Sequence, residues 1–313
     1  MICRRSAWSS LLRLARSLGG RMMGSRFTLI LLLVAFLNAL CFPLITLGLT
    51  HVSHMTFATL RAVLAGLVLG VVAIMLRRPI PTDFRSWIAL AFIGLGATTS
   101  AYFGMFHAAE FVSPGLATVI ANCQPLIAAA LAFAFLSERL RPAQYVGLAI
   151  GFLGIVVVAL PQLDIKQGFD GVIGPAFIVL AAAGLAVSNV LMKGVRNRID
   201  PLVAMSAQLL LGAIPLAVMA LALEQPFKIH LSSDFVFSLI VLALPGTALA
   251  YWLWFWVLDR VPLSQANAFT LLTPVFALLL GIGFFGEQFG PSLAFGLVLT
   301  AIGLVIVERY GGS

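Results

Sequence analysis

Polar positions along the chain come in short bursts, and between them run long apolar stretches. Ten such stretches can be marked, at about 27–49, 55–76, 86–108, 113–136, 142–160, 173–193, 201–222, 235–258, 262–285 and 291–307. A helix needs roughly 20 apolar residues to cross a hydrocarbon core of about 30 Å. In lipid every backbone polar group must be satisfied internally, and these runs are far longer than barrel strands, so each is read as a helix. The connections, such as Arg77 to Arg85 and Pro161 to Val172, are short. The pattern predicts an all-α polytopic membrane protein with ten transmembrane helices and no separate water-soluble domain.

Composition sharpens this. Apolar residues make up 61% of the 313 residues, charged residues only 10%, and mean hydropathy is +1.09. Soluble domains run near 25% charged, so a soluble enzyme, a disordered chain and a disulfide-built secreted domain are excluded. Cys3, Cys41 and Cys123 imply no disulfide framework. The net charge of +8 would point to nucleic acid in a soluble protein. Here it lies between apolar stretches and reads as a topology signal, with no nucleic-acid partner expected. With the N-terminus and alternate connections on one side, that side collects 16 of the 19 Lys and Arg residues. Lys166 and Lys228 fall on the other, and Arg61 lies within a span. Both termini are therefore expected in the cytoplasm, in a bacterial inner (plasma) membrane. Residues 1–26 carry six Arg and no acid. They read as a basic cytoplasmic tail or as sequence upstream of a start at Met22 or Met23. A transit peptide is the competing reading.

The chain also repeats itself. Displaced by 149 residues, Tyr102–Val158 lies on Tyr251–Val307 without a gap, and 15 of the 57 pairs are identical. They include Tyr102/Tyr251, Phe106/Phe255, Pro125/Pro274, Glu138/Glu287, Pro142/Pro291, Gly147/Gly296 and Gly154/Gly303. Asn38/Asn189 and Arg61/Gln208 pair under slightly different offsets. Each half holds five predicted helices, at 27–160 and 173–309. Five is odd, so the second half enters the membrane from the opposite side, as in inverted-repeat secondary transporters.

The residues carrying this pattern are Asn122–Cys123–Gln124–Pro125–Leu126, Leu136–Ser137–Glu138–Arg139–Leu140 and Gly147 to Gly154. Their counterparts are Leu272–Thr273–Pro274–Val275, Gly286–Glu287–Gln288 and Gly296 to Gly303, with Leu60–Arg61 in the second helix. In these the sequence resembles the EamA-type transporters of the drug/metabolite transporter superfamily. That resemblance implies a multi-pass exporter or exchanger of small metabolites such as amino acids, without specifying the substrate. The aromatic run Tyr251–Trp252–Leu253–Trp254–Phe255–Trp256 departs from the pattern.

Polar residues inside spans are costly and face a cavity or a neighbouring helix. In the fourth helix Thr118, Asn122 and Pro125 share one face, with Gln124 beside it. In the ninth, Asn267, Thr270 and Pro274 do the same, with Thr273 adjacent. Pro125 and Pro274 each remove a backbone donor, kink the helix and leave a carbonyl free for a solute. Interhelical hydrogen bonding is the alternative use of these groups. Tyr102 and Tyr251, with Trp252, could wall a cavity or, for the tryptophans, form an interfacial belt. Asn38 and Asn189 could line a cavity or bridge helices. Arg61 could meet a substrate carboxylate, pair structurally, or snorkel to the interface. His107 and Glu110 sit at a helix end, where solvation is favoured over a proton relay.

No phosphate-cradling motif supports ATP-driven pumping, and no metal spacing or cofactor motif appears. Gly147, Gly151 and Gly154 make a small-residue face for packing in the bundle or for a homodimer. The expected partners are a small solute and membrane lipids. A membrane-embedded lipid-modifying enzyme is the alternative from another class. It would need an acidic or His cluster at one face, and the acids here are scattered.

Overall fold

A computed structural model describes residues 25–124, 126–127, 131, 142–159, 170–195, 198–224, 230–258, 272–286 and 290–311. Apart from one isolated bridge residue, Val52, the regular structure among these residues is helical. The elements are α1 (Ser25–Ala39), α2 (Cys41–Leu49), α3 (His54–Met75), α4 (Phe84–Gly94), α5 (Ala101–Ala108), α6 (Pro114–Ala121), α7 (Pro142–Ala159), α8 (Asp170–Val195), α9 (Pro201–Leu223), α10 (Ser233–Ala243), α11 (Ala250–Leu258), α12 (Leu272–Phe285) and α13 (Pro291–Gly311). Every one of the ten predicted stretches carries helix. Six continuous helical segments are long and apolar enough to cross a membrane: 26–49, 54–75, 84–108, 172–192, 201–223 and 233–254.

The boundaries follow local chemistry. Asp83 caps α4 by accepting from the Ser86 amide at 2.8 Å and its hydroxyl at 2.9 Å. These hydrogen bonds hold the Asp83 carboxyl below the usual carboxylate range. Asp200 and Ser232 cap α9 and α10 in the same way. Proline opens α6, α7, α9 and α13, where its missing N–H costs nothing.

Two long helices are interrupted at matched places. Leu95–Ser100 joins α4 to α5 as a π-helical turn, and Leu244–Leu249 joins α10 to α11 as another. The two turns are displaced by the 149 residues that the sequence repeat gives. A π insertion leaves a carbonyl without its usual amide partner, and such insertions are frequent at functional sites. Hydroxyls answer this. Thr247 donates to the Leu242 carbonyl at 2.8 Å, and Ser188 of α8 donates to the Ile93 carbonyl at 2.9 Å.

Contacts between the ends of the helices set their directions. The Glu224 carboxylate, just past α9, accepts from the amides of Met55 (2.6 Å) and Thr56 (2.9 Å) and the Thr56 hydroxyl (2.8 Å). It thereby caps the start of α3 from the far half of the chain. The His230 amide donates to the His51 carbonyl, and His54 meets Glu110 at 2.9 Å. The opposite end holds Arg78, after α3, 3.6 Å from Asp200, before α9. So α3 starts at the end where α9 finishes, and the matched helices α3 and α9 run antiparallel against each other. Losing the Glu224 charge leaves those donors poorly paired. Glu224→Gln is expected to cost about 1–3 kcal/mol, read as a lower melting temperature of the detergent-solubilised protein.

Helices α7 and α13 also pack together, through glycines. A Cβ on Gly147 would lie 2.9 Å from the Gly303 carbonyl oxygen, and one on Gly154 would lie 2.7 Å from that of Gly296. Since Gly147 matches Gly296 and Gly154 matches Gly303, each contact repeats the other with the halves exchanged. The small-residue face predicted at Gly147, Gly151 and Gly154 is thus used inside the bundle.

Candidate functional site

The seam between the halves buries a cation. Arg61 lies in the second turn of α3, about 10 Å along the helix from its start, and is only 3% exposed. Its Nε and Nη2 donate to the Thr247 hydroxyl at 3.2 and 3.1 Å, across the seam. Nη2 also approaches the Cys41 sulfur at 3.5 Å. The guanidinium carbon stands 4.4 Å from the centroid of the Tyr102 ring, a cation–π contact. Tyr251, half-buried at the start of α11, lies within electrostatic reach.

The local folding explains this convergence. Thr247 spends its proton on the carbonyl that the second π turn leaves free, so its lone pairs face outward toward the guanidinium. Cys41 stands where α1 gives way to α2 at Leu40, with Pro43 in the first turn of α2, where its missing N–H interrupts the ladder that would continue α1. Tyr102 sits one residue into α5, beyond the first π turn. Each irregularity in the helices delivers one side chain to Arg61.

Among the described residues, buried Arg61 Nη1 has no hydrogen-bond partner, and the buried Tyr102 hydroxyl has the Thr247 side chain within reach. The buried Thr98 hydroxyl, in the first π turn, has no hydrogen-bond partner among the described residues. Thr98 is the repeat mate of Thr247. Gln208, the mate of Arg61, is the eighth residue of its helix as Arg61 is of its own. It is 3% exposed and donates to the Met205 sulfur at 3.1 Å. The two half-sites correspond in place but differ in charge.

The other residues singled out from the sequence scatter. Thr118 is buried and donates to Pro114 O of its own helix at 2.9 Å. Asn122 ends α6 and donates to the Thr118 carbonyl at 2.8 Å. Both side chains therefore serve their own helix. The break falls at Asn122–Cys123, ahead of Pro125, which itself lies outside the described residues. Gln124 is half-buried. Asn267 and Thr270 lie outside the described residues. Thr273 and Pro274 are buried in the first turn of α12. A missing amide is harmless in a first turn, so Pro274 produces no kink within α12 as described. Asn38 is half-buried on α1. Asn189 is exposed, although it continues the stripe of buried Ile178 and Ala182 and half-buried Leu185 along α8. Trp252 is 42% exposed.

His107 does not stand alone at the helix end. It stacks on His54, ring centroids 4.8 Å apart, and His54 in turn meets Glu110. Sequence reasoning found no metal spacing around His54 and missed Thr247, Cys41 and Glu224. A threonine in an apolar run gives no signal until the fold sets a cation opposite it.

The division into two matched helical halves agrees with the family comparison. The model of the EamA-like transporter family matches residues 26–160 and 172–309. The chain belongs to that family. Among curated relatives, an uncharacterised transporter of Archaeoglobus fulgidus is 27% identical over 90% of this chain and 98% of its own. A Salmonella typhimurium protein described as "probable amino-acid metabolite efflux pump" is 28% identical over 88% of this chain and 92% of its own. A WAT1-related chloroplastic protein of Arabidopsis thaliana is 26% identical, and the match covers 82% of this chain but 63% of that relative. One crystal structure, 20% identical, superposes with a TM-score of 0.65 over 90% of this chain and 97% of its own, and so shares the fold. This is a multi-pass membrane protein of a transporter family.

Proposed function

We propose that the protein is a secondary transporter that exports small organic metabolites such as amino acids. It works by alternating access between two inverted five-helix repeats, ten transmembrane helices in all, with both termini in the cytoplasm of a bacterial inner membrane. The observation that carries this reading is the Arg61 cluster at the seam of the halves. A guanidinium is expensive inside a span and is retained there for a task. Support for inversion comes from the antiparallel run of α3 and α9, the reciprocal glycine contacts of α7 and α13, and the two π turns 149 residues apart. The description of the Salmonella relative supports amino acids as the solute class.

In this mechanism the halves rock about the glycine contacts, and the seam opens to one face and then the other. Arg61, Tyr102 and Thr247 meet the solute between them. Asn38, Asn189, Tyr251 and Trp252 line its path, joined by Gln124 and Thr273 from the fourth and ninth predicted stretches. The π turns supply the bending points. Counterflow into proteoliposomes holding purified protein, across a metabolite panel, tests this. At least one amino acid is expected to exchange well above the rate of empty vesicles. Equal rates for every solute would defeat the reading.

A further inference from the structure

All eleven acidic residues of the chain lie outside the ten apolar stretches. Asp83, Glu110, Asp170, Asp200, Glu224, Asp234 and Glu308 stand at described helix ends or connections. Glu138, Asp164, Asp259 and Glu287 fall in connections by sequence. The two described acids that contact the start of α3 are engaged elsewhere, Glu224 on the α3 amides and Glu110 on His54. Among the described residues, then, no carboxylate pairs with the permanent cation Arg61. A guanidinium presents five donors in a planar fork suited to two carboxylate oxygens. One edge of this fork is taken by Thr247 and Cys41. Among the described residues Nη1 is left over, and the hydroxyl of the tyrosine stacked on the same guanidinium is buried beside Thr247.

We infer that the missing counter-ion is the solute's own carboxylate, received by Arg61 Nη1 with the Tyr102 hydroxyl as second donor. This rests on the transport reading and narrows it. The recognised group is a carboxylate, so amine-free carboxylic acids bind and the decarboxylated amines of the same amino acids do not. The second half-site, with neutral Gln208 in place of a cation, adds no second carboxylate. Each solute is thus held by one acid group, with a bidentate charge-assisted geometry strong enough to repay the burial.

The test uses three series on the purified full chain: leucine, phenylalanine and threonine, each with its decarboxylated amine and its deaminated acid. Thermal melting reads binding, and inhibition of counterflow reads transport. In at least one series the amino acid and the deaminated acid are expected to raise the melting temperature, while the amine and equal chloride do not. Arg61→Gln, which installs the residue of the other half, is expected to weaken carboxylate binding about 100-fold. Tyr102→Phe keeps the ring and is expected to weaken it about tenfold, and it stands as the test should Arg61→Gln fail to fold. The inference is overturned if amines bind as well as acids, if chloride alone reproduces the shift, or if both variants bind acids like the wild type. Transport of a solute without a carboxylate, undiminished in Arg61→Gln, would overturn it while leaving the transport reading intact. If no solute moves, transport falls, and acids that also give no melting shift would remove the inference as well.

Discussion

Arg61→Met is expected to abolish counterflow while leaving the protein as stable as the wild type or more so. Thr247→Val is expected to destabilise it by roughly 3–5 kcal/mol. The asymmetry follows from what each change leaves behind. Methionine removes a charge whose desolvation Thr247, Cys41 and the Tyr102 ring only partly offset, and it fills a similar volume. Buried ionic groups replaced by apolar ones commonly leave a protein as stable or more stable. Valine in place of Thr247 keeps the charge and removes the oxygen that accepts from both Nε and Nη2. It also frees the Leu242 carbonyl in the π turn. Melting of the solubilised protein reads both effects, with counterflow measured on the same preparations. If Arg61→Met were the more damaging to stability, Arg61 would be a structural tie between the halves, and its burial would need no solute to explain it.

The other large effect concerns the glycine contact that the proposed mechanism uses as its pivot. Any Cβ on Gly303 would overlap the Gly151 backbone and stand 2.6 Å from the Gly147 carbonyl oxygen. Backbone cannot step aside as a side-chain tip can. Gly303→Leu is expected to force α7 and α13 apart, to cost at least the 1–3 kcal/mol of an overpacked core, and to remove transport with it. Gly283 of α12 is the internal control. A Cβ there meets nothing within 4 Å, so Gly283→Ala is expected to leave melting and counterflow unchanged. Size-exclusion profiles after a heating series separate the two outcomes. An unaltered profile for Gly303→Leu would mean that α7 and α13 do not pack through their glycines.

The chain's gross plan could be read from its residues because apolar stretches and repeat register are both written in one dimension. The offset that aligned Pro142 with Pro291 and Gly147 with Gly296 also relates the two π turns and the reciprocal glycine contacts. The π turns themselves left no such mark. Leu95–Ser100 and Leu244–Leu249 are small, weakly polar segments whose extra residue emerges only from packing against α8, α9 and α1. For the same reason Thr247 stayed hidden while Arg61 stood out. A lone cation in an apolar run is conspicuous, and its acceptor, supplied by a helix 186 residues away, is not. Thr118 and Asn122 show the opposite failure. Their spacing marks a face, yet both hydrogen-bond back into their own helix, where short polar side chains compete for nearby carbonyls. Asn38 and Asn189 match under an offset, yet one is half-buried and the other exposed.

Cys41 offers the most direct measurement, because a native thiol sits beside the Arg61 guanidinium. In a Cys3→Ser, Cys123→Ala background it is the one remaining cysteine. Sealed vesicles of defined orientation can be exposed to a membrane-impermeant thiol reagent from either face. Alternating access through a seam that holds the solute at Arg61 predicts slow labelling of Cys41 from both faces, and protection from both by a transported carboxylate. Labelling from one face alone, or at a rate that no carboxylate changes, would contradict it.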